Sequence, residues 1–166
     1  MTVQNRPADF SGWATKYDVL CSDGLVLRPG TFAHEDGKQI PLVYQHDHSG
    51  LTNVLGHAIV HERPEGVRVE AYLDPTPEGE NAKAKVKSGT INALSIYADQ
   101  VQKDGNAVRH ARLLEVSLVL RGANPQAQID EVFAHKDGAY VENGEAYISI
   151  EGAIDTLEHA EDSTQY

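Results

Sequence analysis

The run Arg112-Leu113-Leu114-Glu115-Val116-Ser117-Leu118-Val119-Leu120 constrains the fold of this chain more than any other stretch. A strand with one wet face alternates apolar and polar residues, so a nearly unbroken row of Leu and Val reads as a strand covered on both faces. Such a strand needs neighbours on its edges and side chains packed above and below it. Glu115 and Ser117 stand inside the run. A buried polar group left without a hydrogen bond costs about 1–3 kcal/mol, so both call for partners. Arg121-Gly122-Ala123-Asn124-Pro125 then ends the strand abruptly.

The rest of the chain supplies short strands and turns, consistent with its 14 glycines and 7 prolines, and places it in the mainly β class. Strands are expected over residues 10–20, 25–27 and 38–44, with Pro41 marking an edge or a strand start. Residues 54–61 and 66–73 read as a hairpin joined through Arg63-Pro64-Glu65-Gly66. Thr76 as N-cap, Pro77 in the first helical position, Glu78 and Glu80 in the first turn and Lys83, Lys85 and Lys87 near the end predict a helix that Gly89 stops. Its thin apolar face, Ala82 and Val86, suits a helix lying on a sheet. A turn at Lys103-Asp104-Gly105-Asn106, a short helix over 126–133 and a hairpin over 140–150 around Asn143-Gly144 complete the expectation. The domain organisation is a flexible arm over 1–9, one domain over 10–150 and an acidic tail or linker start over 151–166.

A formal charge of -11, from 25 acidic and 14 basic residues, repels phosphate backbones and anionic lipid, which argues against nucleic acid or a membrane as partner. Cys21 is the single cysteine, and neither a signal peptide nor an apolar run of membrane-spanning length is present, as in proteins of a reducing cytosol. No activating neighbour marks Cys21 as a nucleophile.

Three polar residues fall where strands or strand ends are expected: His46, Ser95 and Glu115. A serine hydroxyl is a weak nucleophile until a neutral imidazole takes its proton, and the resulting imidazolium needs a carboxylate beside it, so these types can form a nucleophile, a base and an orienting acid. The same residues also fit a loop histidine, a core serine bonded to backbone and an ion-pair partner of Arg112 or Arg121. His46-Asp47-His48, with His57 and His61 downstream, supports a rival reading in which His46 and His48 share a metal ion that activates water.

Pro41-Leu42-Val43-Tyr44-Gln45-His46-Asp47, Leu55-Gly56-His57-Ala58, Ser88-Gly89-Thr90-Ile91-Asn92-Ala93-Leu94-Ser95-Ile96, Leu113-Leu114-Glu115-Val116-Ser117-Leu118-Val119 and Gly122-Ala123-Asn124-Pro125 occur in that order. The series resembles the tailed-phage prohead (capsid maturation) serine proteases, a family similar in fold to the herpesvirus assemblins, over roughly residues 10–135. The resemblance implies a compact antiparallel β-barrel with peripheral helices. It implies Ser95 as nucleophile and His46 as general base, with Glu115 at the variable third position, Ser117 as a structural support, and the backbone N–H groups of Arg121 and Gly122 as oxyanion donors. Gly122 departs from the proline common at that place in the family. The implied activity is a serine endopeptidase, itself a target of its own cleavage, that acts on capsid and scaffold precursors inside the assembling procapsid in the host cytoplasm. It requires no cofactor and is open to self-association. A non-catalytic capsid-assembly or scaffold-binding domain, and a metal-dependent hydrolase, are the competing readings.

Overall fold

The computed structural model describes residues 6–133, 139–142 and 145–148, the last two segments as backbone. Its strands are β1 (Phe10–Lys16), β2 (Val26–Leu27), β3 (Gln39–Tyr44), β4 (Val54–Arg63), β5 (Gly66–Leu73), β6 (Ala93–Asp104), β7 (Ala107–Val119), β8 (Ile129–Val132), β9 (Ala139–Glu142) and β10 (Glu145–Ile148), with one α-helix, α1 (Pro77–Lys87), between β5 and β6. The first eight strands form one sheet in the order β2-β7-β3-β4-β5-β1-β8, with β6 on the other edge of β7. The strands β9 and β10 pair with each other, and the turn expected at Asn143-Gly144 falls outside the described residues, as does the expected acidic tail.

The apolar run is the hub of this sheet. One edge of β7 carries β6 as an antiparallel hairpin, and the other carries β2 at its start and β3 at its end, both parallel. The expected all-antiparallel order is therefore corrected to a mixed sheet, because β2 and β3 enter from the first third of the chain in the same direction as β7. The barrel is corrected too. Its ends meet only through an isolated bridge between Ala93 and Gln128, flanked by the bonds Leu94 N–H to Ala127 O and Ile129 N–H to Asn92 O. Register shifts at Tyr97/Ala98 and again around Gln102 interrupt the regular ladder of β6 on β7, and bulges of this kind bend a strand. The segment expected as a helix over 126–133 is extended instead and forms β8 against β1, so α1 is the single α-helix among the described residues.

Helix α1 begins and ends where its signals stand: the Thr76 side chain accepts from Gly79 N–H, and Gly89 follows with φ +77°. Ala82 and Val86 are buried beneath it. Arg6 to Asp9, expected as part of an unfixed arm, are tied to β5: Arg6 Nη2 donates to Leu73 O, and Asp9 Oδ2 accepts Leu73 N–H at 2.7 Å.

The core is built from alternate residues of the central strands. Leu94 faces Leu118 and Ile96 faces Val116 across β6 and β7, and Leu94, Val116 and Leu118 are fully buried. Burying such a side chain contributes roughly 1.5–3 kcal/mol, and a slip of one residue would exchange these for Ser95 and Ser117. Apolar burial thus fixes the opposite row of pairs, Ser95 with Ser117 and Tyr97 with Glu115.

Candidate active site

Ser95 sits third in β6, beside the hub strand and close to where the sheet fails to close. His46 lies just past the end of β3, whose parallel register sets Val43 beside Ser117 and Tyr44 beside Leu118. Asp47 N–H donates to Tyr44 O, closing a tight turn in which Gln45 and His46 both have φ +54°. Left-handed backbone is unfavourable for L-residues with a Cβ, by roughly 1–2 kcal/mol each, so other contacts must hold this turn. They are present: Gln45 N–H donates to Leu118 O, Gln45 Oε1 accepts Leu120 N–H at 2.9 Å, and His46 N–H donates to Ser117 Oγ at 3.0 Å.

This turn swings the His46 ring between Ser95 and Glu115. Nε2 is 3.0 Å from Ser95 Oγ, and Nδ1 is 3.0 Å from Glu115 Oε2. Glu115 is 3% exposed, so its carboxylate survives burial only through its partners. Those partners are His46, the Ser117 hydroxyl, which donates to Oε1 at 3.1 Å, and His48, whose Nε2 lies 2.7 Å from Oε2. A carboxylate at Nδ1 holds the imidazole proton there and leaves the Nε2 lone pair facing the serine hydroxyl. The arrangement can accept a proton from Ser95 and stabilise the imidazolium that results.

Arg112 pairs with Asp99 through Nε and Nη2, so Glu115 is not its partner. Sequence reasoning left two participants out. In the sequence His48 reads as a metal ligand or a surface histidine and not as a partner of Glu115, and Gln45, which carries the turn, shows no signal because a glutamine is not a residue that marks left-handed backbone. The trio of His46, His48 and Glu115 is compact, yet both ring nitrogens of His46 are engaged, and no cluster of metal-ligating groups able to hold an ion occurs among the described residues. His57 and His61 do not join it. His57 stacks on Tyr72, and burial followed by the Arg6 guanidinium presses its pKa down; His61 Nε2 bonds Glu70 at 2.6 Å.

Arg121 and Gly122 follow β7 at the same end of the sheet. A Cβ built on Gly122 would stand 2.5 Å from Leu94 O, so the loop runs directly against the strand of Ser95. Among the described residues the N–H groups of Arg121 and Gly122 make no hydrogen bond. Cys21 is buried, and its thiol pKa is pushed up by burial and then by Asp23, opposite to what a thiolate nucleophile needs.

In fold, the chain is similar to the KSHV protease solved with a hexapeptide phosphonate inhibitor, with a TM-score of 0.53 at 12% identity. The match covers 77% of this chain and 65% of that one, so the chain spans somewhat less than two thirds of its solved neighbour. No curated protein matches it. The sequence profile of the caudovirus prohead serine proteases matches residues 2–141, and the chain belongs to that family.

Proposed function

We propose that this protein is a serine endopeptidase that cleaves capsid and scaffold precursors during procapsid maturation, with Ser95 as nucleophile, His46 as general base and Glu115 as the orienting acid. The observation that carries the reading is the single imidazole bonded at Nε2 to Ser95 Oγ and at Nδ1 to Glu115 Oε2, each at 3.0 Å. His46 takes the Ser95 proton as Oγ attacks the scissile carbonyl. The tetrahedral oxyanion is met by backbone N–H groups of Arg121 and Gly122, a contribution of about 10²–10³ in rate for one such donor. Protonated His46 then gives its proton to the leaving amine, and water, deprotonated by the same ring, hydrolyses the acyl enzyme. None of these steps draws on a metal or organic cofactor.

Family membership supports precursors of the capsid and scaffold as substrates, and with them action inside the procapsid in the host cytoplasm. Self-cleavage and self-association belong to the same proposal. Among the described residues no helix is long and apolar enough to cross a membrane. Co-expression with capsid and scaffold precursors tests it: the wild type shortens them and Ser95→Ala leaves them intact. Cleavage that survives Ser95→Ala but stops with a chelator would transfer the reading to metal-dependent hydrolysis. A wild type that binds precursors without shortening them would make it an assembly domain.

A further inference from the structure

The acid–base chemistry leaves the motif Ala123-Asn124-Pro125 without a role, although Asn124 is only 6% exposed. The ladder of β8 on β1 ends with Gly12 opposite Ile129, and Trp13 N–H then donates to Gln128 O. Beyond that point the Asn124 amide takes the place of a strand at the edge of β1. Its Nδ2 spends both protons there, donating to Thr15 Oγ1 at 3.1 Å and to Lys16 O at 2.7 Å. A register shift between Trp13 and Thr15 marks a bulge in β1 at this place. Asn124 Oδ1 accepts Gln126 N–H at 3.0 Å, the first N–H past Pro125, which has none. One end of the side chain thus needs a donor and the other an acceptor, a pair that an amide supplies and a carboxylate does not.

The same loop grips the residue before Ser95. Leu94 N–H donates to Ala127 O at 3.0 Å, Ala127 N–H donates to Asn124 O at 3.1 Å, and Gly122 lies so close to Leu94 O that a Cβ on it would stand 2.5 Å away. Ser22 N–H donates to Ala123 O at 2.8 Å and adds a second tie to the chain after β1. We propose that Asn124 is a positioning residue: by anchoring the loop to β1 it holds the backbone N–H groups of Arg121 and Gly122 where they meet the oxyanion formed at Ser95. The inference rests on the roles proposed above for Ser95 and for those two N–H groups. Oxyanion donors act only if they are in place before the charge develops, and a loop fixed by a buried, fully bonded amide meets that need. Asn124 stands apart from the acid–base set, since His46 and Glu115 bond to Ser95, Ser117 and His48 and not to it.

The test uses the whole protein and an alkyl fluorophosphonate. The Ser95 Oγ–P bond forms, the P–F bond breaks, fluoride leaves and His46 takes the serine proton, so intact mass over time reads both the rate constant and the fraction of protein that reacts. Asn124→Asp keeps the size and the acceptor for Gln126 N–H but sets an oxygen against Lys16 O. Asn124→Ser, which keeps an acceptor and falls short of Lys16 O, is the second variant. Both are expected to react about 10–100-fold more slowly, a smaller loss than the roughly 10²–10³-fold that deleting one oxyanion donor costs. The reacting fraction is expected to stay at the wild-type level, and so is the proton NMR signal of His46 Nδ1–H, identified by its absence in His46→Ala. A merely structural role would lower the reacting fraction and leave the rate constant of the remainder unchanged. A wild-type rate constant in whichever variant folds, or a slower one with the His46 signal lost, overturns the inference and leaves the role of Ser95 standing. A wild type that gains no more adduct than Ser95→Ala overturns the nucleophile reading and this inference with it.

Discussion

His48 Nε2 lies 2.7 Å from Glu115 Oε2, the same oxygen that His46 Nδ1 approaches at 3.0 Å. The two imidazoles compete for one carboxylate oxygen, yet their roles differ, because only His46 reaches Ser95 with its second nitrogen. Glu115→Gln keeps the shape but presents an amide where a carboxylate fixes the tautomer, and is expected to lower kcat about 10⁴-fold by analogy with the corresponding change in other serine proteases. His48→Ala leaves the Glu115–His46 contact in place and is expected to cost no more than about tenfold, roughly one charge-assisted hydrogen bond's share of positioning. Steady-state turnover of a capsid-precursor peptide separates the two.

Gln45 and His46 form a strained turn, both with φ +54°. Gln45→Val puts a β-branched side chain at φ +54° and removes the acceptor for Leu120 N–H. It is expected to destabilise the protein by about 2–3 kcal/mol, from backbone strain and a lost hydrogen bond together, and to depress kcat more than KM because the His46 ring shifts. Urea unfolding with parallel kinetics measures both, whereas a change in KM alone would show that the turn does not set the ring.

Gly122→Ala brings a methyl group to within 2.5 Å of Leu94 O, a backbone atom that cannot turn aside. Either the loop or the first residues of β6 must move, at a cost of about 1–3 kcal/mol. The expected readout is a fall in the rate of Ser95 phosphonylation larger than the loss in thermal stability alone would cause. Retained reactivity would place the oxyanion donors elsewhere.

Glu35 gives the fold an acid limit away from the site. Burial pushes its pKa up, but the Lys38 ammonium, Leu113 N–H and His34 outweigh burial and hold the carboxyl below its ordinary value. A group whose folded pKa is depressed contributes stability that is fully present above the unfolded value, about 4.3 for glutamate, and lost as pH falls through the folded value. Urea midpoints are therefore expected to decline with acid below about pH 4.3, and Lys38→Met, which lets the folded pKa rise toward the unfolded value, to make that decline smaller. An unchanged profile in Lys38→Met would show that Leu113 N–H alone holds the carboxylate.

Much of the scaffold was legible because its causes are local. The caps of α1, the β4–β5 hairpin and the apolar run of β7 each carry their signal within about a dozen residues of sequence. Glu115 and Ser117 stood out for the same reason, as polar residues inside an apolar strand. The pairing of β3 with β7 in parallel did not, since no local pattern says which distant strand lies alongside another. The short strand β8 reads as a helix in the sequence because its few residues have no decisive period. The left-handed turn at Gln45 and His46 was hidden because it contradicts residue preference and exists only where Leu118, Leu120 and Ser117 hold it.

The parallel register of β3 on β7 also governs timing. His46 and Glu115 are 69 residues apart in sequence, and nothing joins them until that pairing closes across the intervening hairpin, helix and strand. Contacts of such separation form late and slowly compared with hairpins. A nascent or half-folded chain carries the serine, the histidine and the carboxylate without the hydrogen-bonded arrangement they make together, so the proposed cleavage of neighbouring chains would wait until folding is finished.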